Sequence, residues 1–597
     1  MNALPFSRLM IAGGLAFGCL VSTCTASARR PAQSYGSAQI PKVVLVGDSI
    51  RLGYAPVVAR LLSGKAAVTS VDANGGDSGN VLRNLEEWVI REKPDIVHLN
   101  AGLHDLKVSR QTREYQVPID QYEANLRNIV RVIREKTSAS LIFASTTPIL
   151  DERHSLRGEA FDRFEADVRR YNEVALRCMK DLGVPVDDLH WIVEKGGAAK
   201  LLSGDGTHYT PEGYGLLGQA VADCVSRHLT IHFYRPLSPV ASGPEAAATY
   251  RAAERERDRL VPEAFLKYGA GEFMVPRDPA TWQKERPSIL EKVKESLGDL
   301  PPRPAVSETR VISREVWREF SVEKVSIPNG ADGVVTALLL VPEKLTTPAP
   351  AILWLHSSTP DKTQILIPNT NGGADSLGEA FTRAGYVVLS PDAYWHGDRV
   401  GTGPSGIAET LHEEQESLFK FDLWLGRTLW GMFVRDDQIA LDYLVTRPEV
   451  DRSRIGATGM SMGSTRAWWL AAVDERIAAV VAVACLTRYR NLIAHGQLRQ
   501  HGVYYFVNGL LRHFDTEGVI ALIAPRPFLA LTGDLDAGSP ADGIRVIEDR
   551  VGALYRVLGA GENFRSELYP EVGHAYTPDM RNQMLAWFAR HLKPGGK

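Results

Sequence analysis

Residues 454–463 have the sequence RIGATGMSMG, in which a short strand-like stretch runs into two glycines that flank a serine. A strand is predicted over Arg454–Thr458, and a helix is predicted to begin near Ser464. This G-x-S-x-G pattern is typical of a sharp strand–turn–helix element whose glycines avoid steric clashes. The N-terminus of the helix favours negative charge that develops beside the serine. Ser461 is therefore the candidate nucleophile of this half of the chain.

Candidate partners of Ser461 follow it in chain order. A strand predicted over Phe528–Thr532 leads into GDLDAGSP, residues 533–540, and a later strand is followed by His574. A serine nucleophile needs a base to take its proton, and the base needs a carboxylate to hold its tautomer. His574 is the candidate base, and Asp534 or Asp536 is the candidate acid.

The surrounding sequence predicts an α/β domain from near Pro262 almost to the C-terminus, because helical patterns separate most of the apolar runs. The predicted strands are Val334–Val341, Ala351–Leu355, Tyr386–Leu389, Arg454–Thr458, Ala478–Val483, Phe528–Thr532 and Ser566–Tyr569.

A second α/β rhythm spans Lys42 to about His232. Its apolar runs are too short for helices and lack alternation, which suits parallel strands buried on both faces. Since the two halves show no internal repeat, the sequence predicts two different α/β domains in tandem. The predicted strands and helices of the first half are Val43–Val46, Ile96–Leu99 and Leu141–Ala144, with Gln121–Lys136 and Phe161–Leu182 as helices.

The first half carries its own candidate nucleophile. Gly47-Asp48-Ser49 follows the first predicted strand, at the sheet edge where α/β proteins bind ligands. Asp205 and His208 lie three residues apart, just before a helix that Thr210 and Pro211 are expected to start. One loop can thus supply both the base and the acid that Ser49 needs.

Composition excludes several classes of function. Lys plus Arg number 68 and Asp plus Glu number 71, and this net charge of −3 gives no support to nucleic-acid binding. Five cysteines in 597 residues cannot form a disulfide scaffold. Cys178 and Cys224 are expected to be free buried thiols, although pairing stays an alternative. No metal cluster, phosphate loop or nucleotide fingerprint appears, so we expect no metal and no cofactor.

The N-terminus predicts export. An apolar run over Leu9–Val21 follows Arg8 and precedes Ala26-Ser27-Ala28, which fits a signal-peptidase site. We therefore expect residues 1–28 to be a cleaved signal peptide, a secreted or periplasmic location, and no stable membrane insertion after cleavage. Residues 233–262 form the predicted linker between domains at 38–232 and 263–594. Its second part, Glu245–Leu260, is predicted to be a polar, solvated helix because charges of alternating sign follow each other along it.

Over residues 40–230 the chain resembles the SGNH (GDSL) hydrolase family, on Gly47-Asp48-Ser49 and the Asp205 and His208 pair. The resemblance implies a flavodoxin-like, three-layer domain with Ser49 as nucleophile, His208 as base and Asp205 as acid. It also implies Gly79 as a backbone oxyanion donor, with Gly76 as the alternative. Gly102-Leu103-His104-Asp105 has histidine where the family has asparagine, and His104 is assigned the second donor role because a neutral imidazole donates one N–H.

Over residues 265–594 the chain resembles the α/β-hydrolase superfamily, and within it the dienelactone-hydrolase and acetyl-xylan-esterase-like group. The resemblance implies that the acid is Asp536 rather than Asp534, from the pattern G-x-x-D-x-x-x-P. It also implies backbone oxyanion donors at Met462 and at Ser358, or Ser357 instead. Met462 stands where glucuronoyl esterases carry arginine.

Other side chains near these motifs are expected to have structural roles. Four aromatic residues are predicted to pack in the core rather than to form a sugar-stacking surface, and three histidines lack the spacing of metal ligands. These aromatic residues and histidines are Tyr394, Trp395, Trp468 and Trp469, with His495, His501 and His513.

The combined expectation is a secreted two-domain serine esterase whose partner is an ester-bearing substrate, an acylated carbohydrate. Both families include polysaccharide deacetylases, and fold alone does not fix the substrate. The alternative is a lipase, arylesterase or peptidase in the second domain, with the first domain a non-catalytic carbohydrate-binding module.

Overall fold

A computed structural model describes residues 40–233, 242–331, 333–345, 348–368, 375–406 and 409–593. The predicted signal peptide, residues 1–28, lies outside the described residues, as do residues 234–241 of the predicted linker. Among the helices of the described ranges, none has the length and apolar character needed to cross a bilayer.

The first half alternates strands and helices, as predicted. Its strands are β1 (Lys42–Val46), β2 (Ala67–Ser70), β3 (Ile96–Asn100), β4 (Val108–Ser109), β5 (Ser140–Ala144), β6 (Phe161–Asp162) and β7 (Val186–Asp187). Its helices are α1 (Ser49–Leu61), α2 (Ser78–Leu85), α3 (Ile119–Lys136), α4 (Asp151–Ser155), α5 (Glu165–Leu182), α6 (Leu189–Gly196), α7 (Ala198–Leu201) and α8 (Pro211–Phe233).

Five parallel strands of the first half lie in the order β2-β1-β3-β5-β7. This is the doubly wound, flavodoxin-like order, in which ligands bind where the strand order reverses. The reversal lies at β1 and β3, and the loops after these strands carry Ser49 and His104. Val43–Val46 are fully buried, as expected for strands covered on both faces.

The second half also has the predicted α/β character. Its strands are β8 (Arg310–Val316), β9 (Phe320–Pro328), β10 (Val334–Pro342), β11 (Ala349–Leu355), β12 (Val387–Pro391), β13 (Val450–Met460), β14 (Ile477–Val483), β15 (Phe528–Gly533) and β16 (Phe564–Tyr569). The helix α9 (Pro244–Leu260) lies in the predicted linker. The helices of the second half are α10 (Pro279–Leu297), α11 (Leu377–Arg383), α12 (Leu411–Trp424), α13 (Leu429–Leu444), α14 (Met462–Val473), α15 (Tyr489–Ala494), α16 (Thr516–Ala521), α17 (Ala541–Val557) and α18 (Pro578–Leu592).

Strands of the second half lie in the order β8-β9-β10-β12-β11-β13-β14-β15-β16. The pairs from β8 to β12 are antiparallel, and the remaining pairs are parallel. Ser461, the Asp536 loop and His574 follow β13, β15 and β16, so all three come after the carboxyl ends of parallel strands. This is the sheet edge at which α/β proteins bind ligands.

A strand pair that the sequence analysis missed joins the two halves. β7 pairs antiparallel with β8, with Val186 opposite Val316 and Asp187 opposite Glu315. In the described residues, fourteen strands therefore form one continuous sheet. The domain boundaries at 232 and 263 stay predictions, because the sheet passes from one half to the other without a break.

The buried carboxylate of Glu315 in β8 has partners on α8 of the first half. The guanidinium of Arg227 donates to Oε1 of Glu315, with Nε at 2.7 Å, and Nε2 of His228 lies 2.9 Å from Oε2. All three side chains are at most 8% exposed. The two halves are thus connected by an ion pair in the interior as well as by backbone hydrogen bonds.

Two predicted elements differ from the structure. The helix predicted to start at Phe161 begins at Glu165, because Phe161–Asp162 instead pairs as β6 with β4. α9 is not wholly solvated as predicted: its Asp258 lies 3.0 Å from Nδ1 of His495, and its Arg251 pairs with Asp534. One side of this polar helix therefore contacts the second half.

The four aromatic side chains predicted to pack in the core are buried. Tyr394, Trp395, Trp468 and Trp469 are at most 4% exposed and belong to the core of the second half. Among the described cysteines, Cys178, Cys224 and Cys485 are free and buried, so the alternative of a pair between the first two is wrong.

Two candidate active sites

Three side chains of the first half form a continuous hydrogen-bonded chain. Ser49 is the first residue of α1, directly after the turn that follows β1. Its Oγ lies 2.9 Å from Nε2 of His208, and Nδ1 of the same ring lies 2.6 Å from Oδ2 of Asp205. This geometry can deliver the serine proton to the imidazole while the carboxylate holds the ring.

The local sequence holds Asp205 ionised. Burial acts to raise its pKa, but hydrogen bonds from the side chain of His208, from the Thr207 and His208 N–H groups and from Ser203 lower that pKa well below the usual range. The predicted capping is also present, since the Gly213 N–H donates to Oγ1 of Thr210 at 3.2 Å. The loop before α8 is therefore fixed at both ends.

A glycine-containing loop lies against the Ser49 turn. The Gly75 N–H donates to the Gly47 carbonyl at 2.8 Å, and the buried Arg51 donates to the carbonyls of both Gly47 and Ala73. A Cβ on Gly75 would lie 2.6 Å from the Gly47 oxygen, so only glycine permits this approach. Arg51 belongs to no predicted motif, because its role depends on its burial.

The predicted donor Gly79 lies in the first turn of α2. A side chain there would point towards Asp77, Arg83 and Asn125. The described contacts with the Ser49 turn come instead from the loop before this helix, which includes Gly76. The Gly76 N–H itself donates to Oδ1 of Asn74 at 3.0 Å, so the contacts favour neither glycine as the donor.

His104 lies in the turn after β3, and its neighbour Asp105 fixes that turn. The carboxylate of Asp105 accepts the Ser78 N–H at 3.0 and 3.1 Å, which ties the turn to the start of α2. Burial raises the pKa of Asp105 to about 6. Burial, Lys107 and Arg163 lower the pKa of His104 to about 3, so its imidazole is neutral at neutral pH.

Ser461 of the second half has the backbone of a nucleophile turn. Its φ of 57° and ψ of −120° are unusual for a residue with a side chain, and α14 starts at the next residue. A Cβ on Gly459 or Gly463 would lie 2.2 or 1.9 Å from the Leu355 carbonyl oxygen. The two glycines of the motif are therefore required by close packing against β11.

The candidate acid and base of the second half are paired. Nδ1 of His574 lies 2.8 Å from Oδ2 of Asp536, whose side chain is 2% exposed. Burial lowers the pKa of His574, but the ion pair with Asp536 outweighs it and raises that pKa above its ordinary value. Asp534 has other partners: its carboxylate accepts the Glu571 N–H at 2.7 Å and pairs with Arg251 at 3.2 Å.

Ser461 is not hydrogen-bonded to His574. In the described part of the chain, no hydrogen bond reaches its Oγ, although its N–H donates to the Val483 carbonyl at 2.9 Å. Hydrogen bonds of this kind are often formed only when substrate binds. The two sites therefore differ, because only the first has its nucleophile and base in contact.

Met462, one predicted oxyanion donor of the second half, lies where α14 meets the end of β11, and the candidates Ser357 and Ser358 follow that strand. Met462 is the first residue of α14, whose start packs on the end of β11. The Ser357 N–H already donates to Oε1 of Gln364 at 3.0 Å. This contact favours Ser358 over Ser357 as the second donor.

Polar residues that the sequence analysis did not place in a site hold the Asp536 loop. Nε2 of His501 lies 2.8 Å from the Gly538 carbonyl, and its ring stacks on Tyr505 at a centroid distance of 4.0 Å. Oγ1 of Thr487 donates to the same carbonyl at 2.6 Å. Burial lowers the pKa of His501, consistent with a packed, neutral histidine. No sequence pattern singles these residues out.

Two groups of side chains in the described residues have metal-ligating atoms within 4.8 Å of one another. They are Cys224, His228 and Glu315, and Glu165, His190 and Glu194. Arg227 and Arg169 already pair with the carboxylates of the first and second group, respectively. An arginine therefore supplies the positive charge in each group.

Comparison with known proteins agrees with both halves of the fold. The model of the GDSL-like Lipase/Acylhydrolase family matches residues 45–216, and the model of the Abhydrolase family matches residues 262–587. Fold and matches together define a hydrolase that acts on ester bonds. The second match covers more than half of the chain, which belongs to the Abhydrolase family.

Individual relatives each match half of the chain or less. The protein YtaP of Bacillus subtilis (strain 168), which is named as a hydrolase, is 35% identical over 302 residues, covering 50% of this chain and 96% of YtaP. The isoamyl acetate-hydrolyzing esterase 1 homolog of Mus musculus is 27% identical over 197 residues, covering 30% of this chain and 79% of the relative. Carbohydrate esterase MZ0003, from an unknown prokaryotic organism, is 22% identical over 206 residues, covering 32% and 45%.

Solved structures are more distant. The glucuronoyl esterase from Solibacter usitatus has a TM-score of 0.42 and 18% sequence identity, covering 55% of this chain and 98% of the solved chain.

Proposed function

We propose that this protein is an exported carbohydrate esterase with a separate Ser-His-Asp site in each half. The observation that carries the proposal is the hydrogen-bonded chain from Ser49 through His208 to Asp205, with distances of 2.9 and 2.6 Å. The Asp536–His574 pair and the nucleophile turn at Ser461 support the second site.

At the first site, Oγ of Ser49 attacks the ester carbonyl while Nε2 of His208 takes its proton. The imidazolium is stabilised by Asp205 and returns the proton to the leaving alcohol, and water then releases the acid by the same path. The oxyanion donors are Gly79, with Gly76 as the alternative, and His104. At the second site, Ser461, His574 and Asp536 have the same roles, with Met462 and Ser358 as donors.

The carbohydrate substrate is supported by the match to MZ0003, whose name states a carbohydrate esterase. Two ester-cleaving sites on one exported chain suit a substrate that carries several acyl groups. Met462 in place of the arginine of glucuronoyl esterases favours acylated hydroxyls over uronate esters.

The test uses the full chain as wild type, Ser49→Ala, Ser461→Ala and the double variant, with the exposed Ser155→Ala as control. Acetate release from acetylated xylan and hydrolysis of aryl acetates, tributyrin and a peptide panel are measured. Each single variant should keep the turnover of the other site, and the double variant should lose about 10³-fold or more.

Other outcomes separate the alternatives. Turnover of tributyrin or peptides without acetate release would favour a lipase or peptidase. If Ser461→Ala hydrolyses no ester in the panel, the first half is a binding module. If one substitution silences both activities in a folded protein, the proposal of two separate sites is wrong.

A further inference from the structure

His104 presents a chemical problem that asparagine would not. An asparagine amide always carries N–H donors, whereas a neutral imidazole has one N–H, on either Nδ1 or Nε2. Only one of the two tautomers presents an N–H at a given ring position. Some neighbouring group must therefore select the tautomer if His104 is to act as a reliable donor.

Lys107 makes the contact that selects it. Its Nζ lies 3.0 Å from Nδ1 of His104, and its own backbone N–H donates to the His104 carbonyl at 3.3 Å. The Gln116 N–H fixes the Lys107 carbonyl at 2.7 Å, and the ring of Phe161 lies 4.6 Å beneath the ammonium. None of the ion pairs found in the described ranges involves Lys107, so its described polar partner is the imidazole.

The contact between Lys107 and His104 determines which ring nitrogen of His104 carries the proton. An ammonium group has three donors and no acceptor, so Nδ1 of His104 must accept. The single proton of the neutral ring then lies on Nε2, which makes no hydrogen bond to a described residue. The opposite tautomer would place an N–H against the ammonium.

We propose that Lys107 is a positioning residue that fixes His104 as the Nε2–H tautomer and so restores the donor that asparagine supplies in related sites. The inference rests on the proposed function of the Ser49 site. It assigns a task to a residue that no motif indicated, and it explains how the site tolerates histidine.

The fixed turn supports this role. Asp105 holds the turn to α2, and Nε of the buried Arg163 donates to the Leu103 carbonyl at 2.8 Å. The backbone of the turn is held on both sides of His104. A substitution of Lys107 should therefore change the tautomer of the His104 ring without moving the turn.

The kinetic test uses the full chain with Ser461→Ala, so that turnover reports the first site. Lys107→Met should lower kcat about 10-fold with little change in KM, because about nine in ten molecules would then lack the donor. Lys107→Arg should restore most of kcat, since a guanidinium also only donates. The exposed Lys65→Met is the matched control and should have no effect.

A double-mutant cycle separates positioning from a structural role. With His104→Asn, the amide donates without a tautomer, so adding Lys107→Met should cost less than about twofold in kcat. A full 10-fold loss in the asparagine background would overturn the proposal.

The tautomer is also measured directly, by the two-bond and three-bond ¹H–¹⁵N couplings of the labelled imidazole. The His104 signal is assigned by its loss in His104→Asn. The Nε2–H form is expected with Lys107 and a mixture with Lys107→Met. An Nδ1–H form in the presence of Lys107, or an unchanged tautomer without it, would refute the inference. If Ser461→Ala has no turnover at all, the proposed function of the first site fails, and the couplings still test Lys107.

Discussion

The two aspartates of residues 533–540 have divided tasks, which can be tested one side chain at a time. Asp536 touches the ring of His574, whereas Asp534 holds the Glu571 N–H and contacts Arg251 of α9. In a Ser49→Ala background, Asp536→Asn should lower kcat about 10⁴-fold because the amide favours the wrong tautomer. Asp534→Asn should stay within about tenfold. The reverse order of losses would identify Asp534 as the acid.

The pH dependence of the second site follows from the same pair. His574 acts as a base only when it is neutral, and Asp536 raises its pKa above the ordinary 6.5. With Ser49→Ala, kcat/KM should therefore fall as pH drops through a value above 6.5. In Asp536→Asn, the acid limb of the residual activity should shift to lower pH. The reason is that the carboxylate charge that stabilises the His574 imidazolium is gone. A limb that stays in place would show that another group controls it.

Among single residues, the sequence predicts those that belong to one short motif. Asp205 and His208 share a loop, and Ser461 is defined by its flanking glycines, so pattern and structure agree on where they lie. Arg51, Thr487 and His501 could not be predicted, because their contacts depend on burial and on chain segments far apart in the sequence. Lys107 is a local contact, yet an ammonium beside an imidazole has no sequence signature.

Among the elements, α9 shows how a polar helix becomes attached to a domain. The Gly243 N–H before it donates to the Glu571 carbonyl at 3.0 Å, and Asp258 near its end meets His495. The sequence predicts the helix from its composition. It does not predict the attachment, because the partners of its charges belong to distant loops.

The anchoring of α9 should depend on pH through His495. The hydrogen bond that His495 donates to Asp542, together with the one it donates to Asp258, raises the pKa of His495 to about 9. A histidine whose folded pKa is raised adds stability that is fully present below about 6.5 and is lost as pH rises through about 9. His495→Gln should thus lower the free energy of unfolding by about 1 kcal/mol near pH 6 and by almost nothing above about pH 10.

Urea denaturation at several pH values measures this difference. His412→Gln is the control, because His412 is 74% exposed and its pair with Glu416 lies at the surface. A His495→Gln effect that is equal at both ends of the range would contradict the titration and indicate a packing role.

The whole molecule is stabilised where its halves meet. Glu315 is fully buried, and its removal would leave the 3% exposed side chain of Arg227 without its ion-pair partner. Breaking a buried ion pair on one side costs about 3–5 kcal/mol. We expect Glu315→Ala to lower the free energy of unfolding by that amount, measured by urea denaturation and followed by the turnover of both sites.

A second ion pair between the halves provides the matched control. Lys180 and Glu343 are 41% and 52% exposed, so Glu343→Ala should cost less than about 1 kcal/mol. If Glu315→Ala does not fold, Glu315→Gln keeps the shape and should still be destabilised. Equal effects of Glu315→Ala and Glu343→Ala would show that the interior pair does not stabilise the contact between the halves.

The sequence predicts two α/β folds but not their continuity, and the reason lies in particular strands. β7 has two residues, too few for a periodic pattern. β8 and β9 carry Glu315, Glu323 and Lys324, and such charges in a sequence are typical of exposed positions. In the structure, partners on the first half such as Arg227 and Asp223 allow them to be buried. The buried parts of β11 and β13 needed no such information.

The shared sheet has a consequence for solubility. A strand at the rim of a sheet offers unpaired backbone groups to other molecules and invites aggregation. In the described chain these rim strands are β2, of four residues, and β16, which carries Arg565 and Glu567. A fragment cut between residues 233 and 309 would add a new rim, at β7 in one piece and at β8 in the other. In the full chain, each half covers the strand edge at which the other could self-associate. Expression of either half alone should therefore yield less soluble protein than expression of the full chain.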